Sequence, residues 1–354
     1  MKIAHIFWSF TIGGAETMLV DIINKQVQNE SVALFIINNQ VSYVLLNELN
    51  PKVHVELIKR QPKNYFPWKL INLNLLLLKY NPEVIHCHNY TLDKVLLPQL
   101  LKKSILTVHG FNRQLDSKNK FRHIVAISQA VYNDLYSKGL RNLFVIHNGI
   151  EASSIVVKKK FNKEIKLVCV GRLEHEIKGQ DILIRAFSLL KEKYPNTSLH
   201  FIGEGNSEKN LKKLAIELKV DNSIFFHGSQ SRRNLYSSLQ SYDILIQPSN
   251  YEGFGLSVVE AMAAKLPVLI SNATGLVEIT NNGKFAHIAK EQSEYEYFQL
   301  LHAMILKINN LEQELLQLID SAKKYANDNF SIEKTCSSYK KVYQTTCMLN
   351  IKHY

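Results

Sequence analysis

The sequence predicts an α/β protein made of two doubly wound domains in tandem. Short apolar runs rich in Val, Ile and Leu recur along the 354 residues, and helix-like segments separate them. Such runs are typical of parallel strands that are buried on both faces and joined by crossover helices. The charged segment 158–163 divides the runs into two series, so we expect a weakly structured linker there.

The two series predict an N-terminal domain at 1–160 and a C-terminal domain at 161–330, followed by a last helical segment at 331–354. Segment 66–80 is apolar nearly all round, which predicts a core helix packed on a sheet, with a membrane-surface helix as the alternative. The predicted strands lie at 3–10, 32–37, 84–88, 105–109, 123–127 and 143–146, and then at 166–170, 198–202, 223–227, 244–247 and 267–271.

The composition is that of a globular protein with a full core in each half, because 46% of its residues are hydrophobic and 21% are charged. The N-terminal run predicts a buried strand rather than a secretion signal. No stretch reaches the roughly 20 apolar residues that a membrane span needs. The four cysteines form no C-x-x-C pair, which favours a reducing compartment. We therefore expect a cytoplasmic protein.

The net charge of +12 lies almost entirely in the first half. Residues 1–163 hold 21 Lys and Arg against 10 Asp and Glu, whereas the remaining residues hold 22 against 21. This excess predicts an anionic partner: nucleic acid, an anionic membrane or an anionic soluble ligand. No nucleic-acid motif or arginine-rich helix is present, so we expect no nucleic acid.

Two basic stretches in the first half favour reversible binding to an anionic membrane, with a solvated basic face as the alternative. Lys118, Lys120 and Arg122, the last three residues of the second stretch, lie just after the loop that begins at His109. The stretches consist of Lys59, Arg60, Lys63 and Lys69, and of Lys102, Lys103, Arg113, Lys118, Lys120 and Arg122.

Several nucleotide and metal motifs do not occur in the sequence. There is no G-x-x-x-x-G-K-[ST] P-loop, and G-E-G at 203–205 lacks the third glycine of a dinucleotide fingerprint. There is no D-x-D either, so we expect no divalent metal on a nucleotide diphosphate. His86, His88 and His109 lie at the ends of predicted strands, but a zinc site would need further ligands. We interpret them as lining a ligand site at the carboxyl ends of the strands.

Each predicted domain opens with a strand and a loop suited to an anionic ligand. After the first strand, Gly13 and Gly14 allow close backbone approach to a ligand and start a helix, although a plain tight turn would look the same. In the second domain, Arg172 and Lys178 lie on the loop before a helix. Cations beside a helix N-terminus can neutralise a diphosphate without a metal, the alternative being solvated surface charges.

The segment NYEGFGLSVVEAMA at 250–263 places Glu252 and Glu260 around a glycine turn that leads into a helix. The N–H groups of a helix N-terminus can bind phosphate oxygens, and carboxylates can accept hydrogen bonds from sugar hydroxyls. Either glutamate alone could be a helix-capping residue. Together they suit a sugar nucleotide, with the sugar at Glu252, the ribose at Glu260 and the diphosphate on the amides of Phe254, Gly255 and Leu256.

The ordered set of motifs resembles that of the retaining glycosyltransferases of family 4, over nearly the whole chain. In the first half the resemblance rests on GGAE at 13–16, HCH at 86–88, TVHG at 107–110, VAISQA at 125–130 and VIHNGI at 145–150. In the second half it rests on VGRLEHEIKGQDILIRAF at 170–187, IGEG at 202–205, FHG at 226–228 and the E-x7-E signature from Glu252 to Glu260.

This resemblance implies the GT-B fold, in which two Rossmann-like domains face a cleft and the C-terminal helix crosses back to the first domain. The residue roles that it implies are a donor-sugar contact for His109, diphosphate binding for Arg172 and Lys178, sugar binding at the reaction centre for Glu252, ribose binding for Glu260, and a place near the donor phosphate or the acceptor for Gly14. The expected catalytic residues are thus His109, Arg172, Lys178 and Glu252.

These observations predict a retaining, metal-independent glycosyltransferase that moves a sugar from a nucleoside-diphosphate sugar to a glycan or polyprenyl-linked acceptor. The resemblance implies bacterial surface polysaccharide or lipopolysaccharide synthesis, and a peripheral location on the inner face of the cytoplasmic membrane. In this family the first domain handles the acceptor, which agrees with its basic charge. Two alternatives stay open: a non-hydrolysing sugar-nucleotide epimerase of related fold, and an inactive sugar-nucleotide-binding subunit.

Overall fold

A computed structural model describes residues 1–62, 67–111, 114–161 and 163–351 of the protein. The chain divides into two compact units. Unit 1 comprises Met1–Gly149 and the segment that starts at Ile332, and unit 2 comprises Ile150–Ser331. Lys63, Arg113 and Asn162, which belong to the predicted basic stretches and linker, lie outside the described residues.

Unit 1 alternates strands and helices, as its apolar pattern predicts. Its elements before residue 150 are β1 Lys2–Phe7, α1 Gly14–Gln26, β2 Ser31–Asn38, α2 Tyr43–Asn47, β3 His54–Arg60, α3 Trp68–Tyr80, β4 Val84–Cys87, α4 Pro98–Leu101, β5 Ser104–Val108, β6 His123–Ala126, α5 Gln129–Ser137 and β7 Leu143–Val145.

The seven strands of unit 1 form one parallel sheet in the order β3-β2-β1-β4-β5-β6-β7. The strand order reverses between β1 and β4, and in open α/β sheets ligands bind beyond the carboxyl ends of the strands at such a reversal. In this register His5 on β1 lies beside His86 on β4. Gly14 follows β1 and His88 follows β4, so both lie at the carboxyl edge near the reversal.

Unit 2 repeats the plan with a six-stranded parallel sheet. Its elements are β8 Lys166–Val170, α6 His175–Lys178, α7 Gln180–Lys193, β9 Ser198–Ile202, α8 Glu208–Glu217, β10 Ile224–Phe226, α9 Arg232–Ser238, β11 Ile244–Gln247, α10 Leu256–Ala263, β12 Val268–Ser271, α11 Thr274–Ile279, β13 His287–Ala289, α12 Glu294–Asn309 and α13 Gln313–Asn329. The strand order is β10-β9-β8-β11-β12-β13. It reverses between β8 and β11, which carry Arg172 and Glu252 in the loops that follow them. The predicted pair of Rossmann-like domains is therefore confirmed.

The last helix, α14 Ile332–Ile351, belongs to unit 1, as the sequence predicts for its C-terminal segment. It packs against α1. The buried Tyr343 hydroxyl lies 2.7 Å from Nδ1 of His86, and the Tyr339 hydroxyl lies 3.0 Å from Oγ1 of Thr107. Helix α14 thus supplies polar partners to the middle of the unit 1 sheet.

Segment 150–160, which the sequence places in the first domain, packs in unit 2. Its central lysine, Lys158, is not a solvated linker residue, because its ammonium group lies 2.8 Å from Oδ1 of Asp243 and both side chains are almost fully buried. The Lys158 N–H also donates to the carbonyl of Ala264. Asp243 lies just before β11 and is buried, so its carboxylate requires a cation nearby. The sequence of the lysine-rich segment does not show which of its lysines provides that cation.

Helix α3 is not the core helix that its composition favours. It buries Leu73, Asn74 and Leu77 and leaves an apolar stripe on its other face. The side chains of this stripe are between 39% and 67% exposed. They recur at intervals of three and four residues, so they share one helix face. The α3 stripe consists of Trp68, Ile71, Leu75 and Leu78.

Arg122, the last residue of the second basic stretch, does not lie beside His109. Arg122 donates its backbone N–H to the carbonyl of Ser104, which places it at the amino end of β5, whereas His109 follows the carboxyl end of that strand. Lys94, Lys102 and Lys120 join Arg122 around a cavity of about 490 Å³ at this opposite edge. His109 and Arg122 thus lie at opposite edges of the sheet although only thirteen positions separate them in sequence. In the described part of the chain, no helix combines the length and apolar character that crossing a membrane requires.

Candidate active site

The loops after β8 and β11 bring Lys178 and Glu252 together in unit 2. The Lys178 ammonium group lies 2.7 Å from Oε2 of Glu252, and the two side chains are only 14% and 16% exposed. Lys178 is the last residue of α6 rather than an exposed loop residue. The two groups that the sequence predicts for diphosphate and for sugar are therefore adjacent and already paired.

Backbone contacts hold the loop after β11 against α6. The N–H groups of Asn250 and Tyr251 both donate to the carbonyl of Ile177, and the Asn250 side chain donates to the carbonyl of Glu176. Because these residues flank Glu252 and Lys178 in sequence, the bonds set the distance between the two charges. The loop also depends on Ser249, whose hydroxyl lies 3.4 Å from Oε2 of Glu252.

A glycine at the end of α6 makes this close approach possible. Gly179 has a φ of +66°, and a Cβ at this position would lie 2.1 Å from the carbonyl oxygen of Pro248. Gly275 has a similar function under Glu252, because its Cβ would lie 2.4 Å from the Glu252 carbonyl oxygen. Larger residues at either position would force the loop and its neighbours apart.

Arg172 is more peripheral than the sequence predicts. Its side chain is 65% exposed, and its guanidinium lies 3.1 Å from Oε1 of Glu174. Its backbone is nevertheless fixed, because its carbonyl accepts a hydrogen bond from the buried side chain of Gln180. The structure therefore joins Lys178 to Glu252 but pairs Arg172 with a different acid.

Glu260 pairs with Arg232, a residue that the sequence analysis overlooked. Arg232 is the first residue of α9 and forms an ion pair with Oε1 of Glu260 on α10. Both side chains are largely buried, at 11% and 4% exposure. A signal was available, because Arg232 follows the loop after β10 just as Arg172 follows β8. A buried glutamate also requires a cation within reach.

Helix α10 begins at Leu256, as predicted, with Gly255 as its N-terminal cap at a φ of +94°. Phe254 before it is buried, and its ring packs edge-on against Phe330 at 5.6 Å between centroids. The first turn contains no acidic side chain. An anion at this helix end would therefore meet the helix dipole without repulsion from the first turn.

In unit 1 the strand-end histidines form a hydrogen-bonded cluster rather than the lining of an open site. His86 is fully buried, and its ring nitrogens contact the Tyr343 hydroxyl and Oγ1 of Thr107, each at 2.7 Å. Burial, together with neighbouring histidines, holds the pKa of His86 well below its ordinary value. The expectation that His86 lines a ligand site is therefore wrong, because α14 covers it.

His88 and His109 continue the cluster towards the carboxyl edge of the sheet. Nδ1 of His88 lies 3.1 Å from Nε2 of His109, and burial lowers the pKa of His109 to about 4. Nδ1 of His109 is buried without a hydrogen-bond partner among the described residues. The predicted ligand contact at His109 thus has an acceptor or donor atom available.

Gly14, at the start of α1, has open space around a hypothetical Cβ.

A three-histidine metal site is not the best description of this cluster. One nitrogen from each of His5, His86 and His88 lies within 4.8 Å of the others. However, each ring nitrogen of these three residues already has a side-chain hydrogen-bond partner. A bound ion would have to break several of these bonds, so the geometry favours a polar network.

Two protein-family models match the chain in succession. The model described as Glycosyltransferase Family 4 matches residues 12–154, and the model described as Glycosyl transferases group 1 matches residues 152–324. Their junction lies close to the boundary between units 1 and 2.

Curated relatives match parts of the chain. Glycogen synthase of Mycobacterium tuberculosis is 35% identical over 153 residues, which are 43% of this chain and 37% of that protein. An uncharacterised glycosyltransferase of Methanocaldococcus jannaschii is 30% identical over 239 residues, which are 64% of this chain and 59% of that protein. The matched stretches therefore span between 37% and 59% of the length of these two relatives.

Solved structures share the fold at low sequence identity. HepE of Anabaena in complex with UDP-glucose has a TM-score of 0.82 and 18% identity, and covers 98% of this chain and 100% of its own. The lipopolysaccharide outer core galactosyltransferase WaaB has a TM-score of 0.72 and 17% identity, with the same coverage. The chain thus consists of a region that matches the Family 4 model and a region that matches the group 1 model, arranged in the GT-B fold that it shares with HepE and WaaB.

Proposed function

We propose that the protein transfers a sugar, with retention of its anomeric configuration, from a nucleoside-diphosphate sugar to a glycan or lipid-linked acceptor. The observation that carries this proposal is the Lys178–Glu252 pair at the carboxyl edge of the unit 2 sheet, at the strand reversal. The nearby N-terminus of α10 adds a second group suited to an anion. HepE, which has this fold, binds UDP-glucose, and that supports the donor class.

Lys178 can serve Glu252 and the donor together. An ammonium group carries three donors, so Lys178 can keep its bond to Glu252 and also donate to diphosphate oxygens. Glu252 retains acceptor capacity for sugar hydroxyls, because a carboxylate accepts several hydrogen bonds. The two glutamates of the E-x7-E signature then bind different parts of the donor, the sugar at Glu252 and the ribose at Glu260 beside Arg232.

The proposed reaction is a front-face displacement. The bond between the anomeric carbon and the diphosphate oxygen breaks while the acceptor oxygen bonds to the same face of that carbon. The leaving diphosphate takes the proton of the acceptor hydroxyl. Lys178, with Arg172 and the α10 amides, stabilises the charge that develops on the diphosphate, which makes this electrostatic catalysis without a metal.

A lipid-linked acceptor is the second part of the proposal. The α3 stripe offers exposed apolar side chains, and Lys69 and Lys79 on the same helix are also exposed. Such a surface suits peripheral binding to an anionic membrane, here the inner face of the cytoplasmic membrane. WaaB, which shares the fold, is a lipopolysaccharide galactosyltransferase, which supports surface polysaccharide or lipopolysaccharide synthesis as the pathway.

The test begins with a thermal-shift screen of UDP, GDP and ADP sugars, followed by transfer assays with the donor that binds. We expect transfer in EDTA and an α-configured product from an α-configured donor, as determined by NMR. A requirement for magnesium or manganese would refute the metal-free account. An epimerised sugar nucleotide formed without acceptor would favour the epimerase, and donor binding without any turnover would favour an inactive subunit.

Substitutions of Lys178 and Arg172 refine the test. We expect Lys178→Ala to lose about 1.5–3 kcal/mol of transition-state stabilisation, as for a charge-assisted hydrogen bond. Arg172→Ala should cost less, because its side chain is mostly exposed and paired with Glu174. Lys213→Ala, which removes a 78% exposed lysine of unit 2, is the control. Normal turnover in the Arg172→Ala, Lys178→Ala double variant would contradict the diphosphate role.

A further inference from the structure

A linear chain of three hydrogen bonds between side chains connects Gln26 to His109 in unit 1. Oε1 of Gln26 lies 2.9 Å from Nε2 of His5, and Nδ1 of His5 lies 3.1 Å from Nε2 of His88. Nδ1 of His88 in turn lies 3.1 Å from Nε2 of His109. We call these four residues the histidine relay. It starts at the C-terminal end of α1, includes His5 inside β1, and ends just beyond the carboxyl ends of β4 and β5.

All three rings in the histidine relay are neutral near pH 7. Burial lowers the pKa of His5 and of His109 to about 4, and burial with neighbouring histidines holds the pKa of His88 well below its ordinary value. A neutral imidazole has one N–H donor and one acceptor nitrogen. Each ring that accepts at one nitrogen must therefore donate at the other.

This rule orders the protons from one end. The Gln26 oxygen can only accept, so Nε2 of His5 carries a proton and Nδ1 of His5 accepts. His88 must then donate from Nε2 and accept at Nδ1, and His109 must donate from Nε2. Nδ1 of His109 is left as a bare acceptor, and it is the buried nitrogen with no partner among the described residues.

The reverse order would be equally self-consistent if the Gln26 amide presented its NH₂ group to His5. Every ring would then exchange its two nitrogens, and Nδ1 of His109 would become an N–H donor. The orientation of one amide therefore determines the hydrogen-bonding character of a histidine three links away. In proteins generally, the hydrogen bond at one ring nitrogen of a histidine determines whether the other nitrogen is protonated. Here the Gln26 amide determines the tautomer of His109 through two intervening rings, those of His5 and His88.

We propose that Gln26 is a positioning residue that acts through His5 and His88 to hold Nδ1 of His109 as a hydrogen-bond acceptor for a hydroxyl group of the donor sugar. The part that concerns the sugar rests on the proposed function, whereas the order of the protons concerns the free protein. A buried acceptor left unpaired is costly, so a ligand hydroxyl that donates to it gains affinity.

The direct test determines the ring tautomers by long-range ¹H–¹⁵N correlation NMR on the full chain with labelled histidine at pH 7.5. We expect His109 to carry its proton on Nε2 in the wild type. Gln26→Leu removes the acceptor for His5, so His109 should become mixed or reversed. Gln26→Glu keeps an acceptor oxygen and should preserve the wild-type pattern.

Tyr339→Phe is the matched control. It removes another buried hydroxyl of α14, which contacts Thr107, and it leaves the contacts of Gln26 with His5 and Tyr343 in place. General loosening of the core would change the His109 tautomer in both Gln26→Leu and Tyr339→Phe, whereas the proposed relay changes it in Gln26→Leu alone. If Gln26→Leu does not fold, His88→Phe interrupts the relay at its centre, where the ring stacks on Phe7 at 4.5 Å.

A protonated Nδ1 on His109 in the wild type would overturn the proposal, as would an unchanged tautomer in Gln26→Leu or His88→Phe. A change in Tyr339→Phe equal to that in Gln26→Leu would also overturn it. With UDP-glucose as the donor probe, we expect Gln26→Leu to lower kcat/KM roughly fivefold to tenfold, with recovery in Gln26→Glu. Since the tautomers are measured without ligand, a failed transfer assay would count against the proposed function and leave the relay standing.

Discussion

Glu252 has two hydrogen-bond partners in place without a ligand, Lys178 at 2.7 Å and the Ser249 hydroxyl at 3.4 Å. Glu260 is held differently, by an arginine from another helix and with almost no solvent exposure. The two carboxylates of the E-x7-E signature thus occupy separate environments. This separation leads to different expectations for their substitution.

We expect Glu252→Gln to lose most transfer activity while it still binds free UDP, because it would contact the sugar and not the nucleotide. Glu260→Ala should weaken UDP binding itself, since it would remove the ribose contact and leave Arg232 without this carboxylate. Calorimetric titration with UDP, beside transfer rates, distinguishes the two defects. Equal losses of UDP affinity would show that the carboxylates do not contact different parts of one donor.

Arg232→Ala should be one of the more destabilising substitutions of a charged residue in unit 2. It removes the cation that neutralises a glutamate with 4% exposure, and loss of one partner of a buried pair costs about 3–5 kcal/mol. Arg233→Ala, at the exposed neighbouring position, should change the free energy of unfolding by less than about 0.5 kcal/mol. Denaturant unfolding followed by circular dichroism compares the two variants. Similar values would mean that the Arg232–Glu260 pair contributes little.

The sequence could identify Glu252, Glu260 and Lys178 but not their partners. Lys178 meets Glu252 because Ile177 accepts hydrogen bonds from the loop after β11, a contact between residues more than seventy positions apart. Arg232 met the same criterion as Arg172, a cation just beyond a strand, and could have been found. The burial of Lys158 against Asp243 could not have been predicted, because nothing in the local sequence distinguishes Lys158 from the neighbouring lysines.

At the scale of elements, the parallel strands were predictable wherever both faces are buried. Strand β3 was missed because His54, Glu56, Lys59 and Arg60 give it a polar character suited to the edge of the sheet. Strand β13 was missed because it has only three residues. Helix α3 was predicted, but its exposed apolar face was not. The composition of a helix shows how apolar it is, but not which of its faces packs against other elements.

The junction between α6 and α7 should tolerate no side chain at Gly179. Gly179→Ala would place a Cβ 2.1 Å from the Pro248 oxygen in a left-handed conformation, so we expect it to cost at least about 1 kcal/mol and to impair donor binding through Lys178. Gly14→Ala meets open space and should leave stability unchanged. If Gly14 approaches a ligand, this variant would lose transfer without losing stability. An equally stable Gly179→Ala would contradict the packing argument.

The buried histidines His5, His86 and His88 should make unit 1 sensitive to acid. The unfolded chain binds a proton on His5 near pH 6.5, whereas the folded protein does so only near pH 4. The unfolded state therefore holds more protons between these values, and the free energy of unfolding falls as the pH decreases from about 6.5 to about 4. For His5 alone this difference corresponds to about 3 kcal/mol.

Tryptophan fluorescence can measure this effect in unit 1, because Trp8 and Trp68, the two tryptophans of the chain, both belong to it. Denaturant titrations at pH 7.5 and pH 5 should show a large loss of stability in the wild type and a smaller one in His5→Gln. His54→Gln, which changes a 57% exposed histidine, should behave as the wild type does. An unchanged pH dependence in His5→Gln would remove His5 as its cause.

For the whole molecule, we expect binding to anionic vesicles that weakens with salt and also depends on the α3 stripe. Each basic residue near an anionic surface contributes about 1 kcal/mol, and burial of Trp68 and Leu75 adds about 1.5–3 kcal/mol each. Trp68→Ser, Leu75→Ser should therefore sediment with vesicles at least about tenfold less tightly. The matched control, Ile216→Ser, Leu311→Ser, removes side chains of similar exposure from unit 2. Equal behaviour of both double variants would contradict a role for the stripe.

The return of α14 to unit 1 has a consequence for how the chain is made. Unit 2 is continuous in sequence, whereas unit 1 takes Thr335, Tyr339 and Tyr343 from a helix that follows all of unit 2. On the ribosome, the first 149 residues emerge with His86 and Thr107 lacking their tyrosine partners, and they must wait while the next 182 residues are synthesised. Unit 2 is thus the first part that can complete its fold, and the earliest-made half of the protein is the last to mature. A chaperone that holds nascent chains would be expected to act on this half.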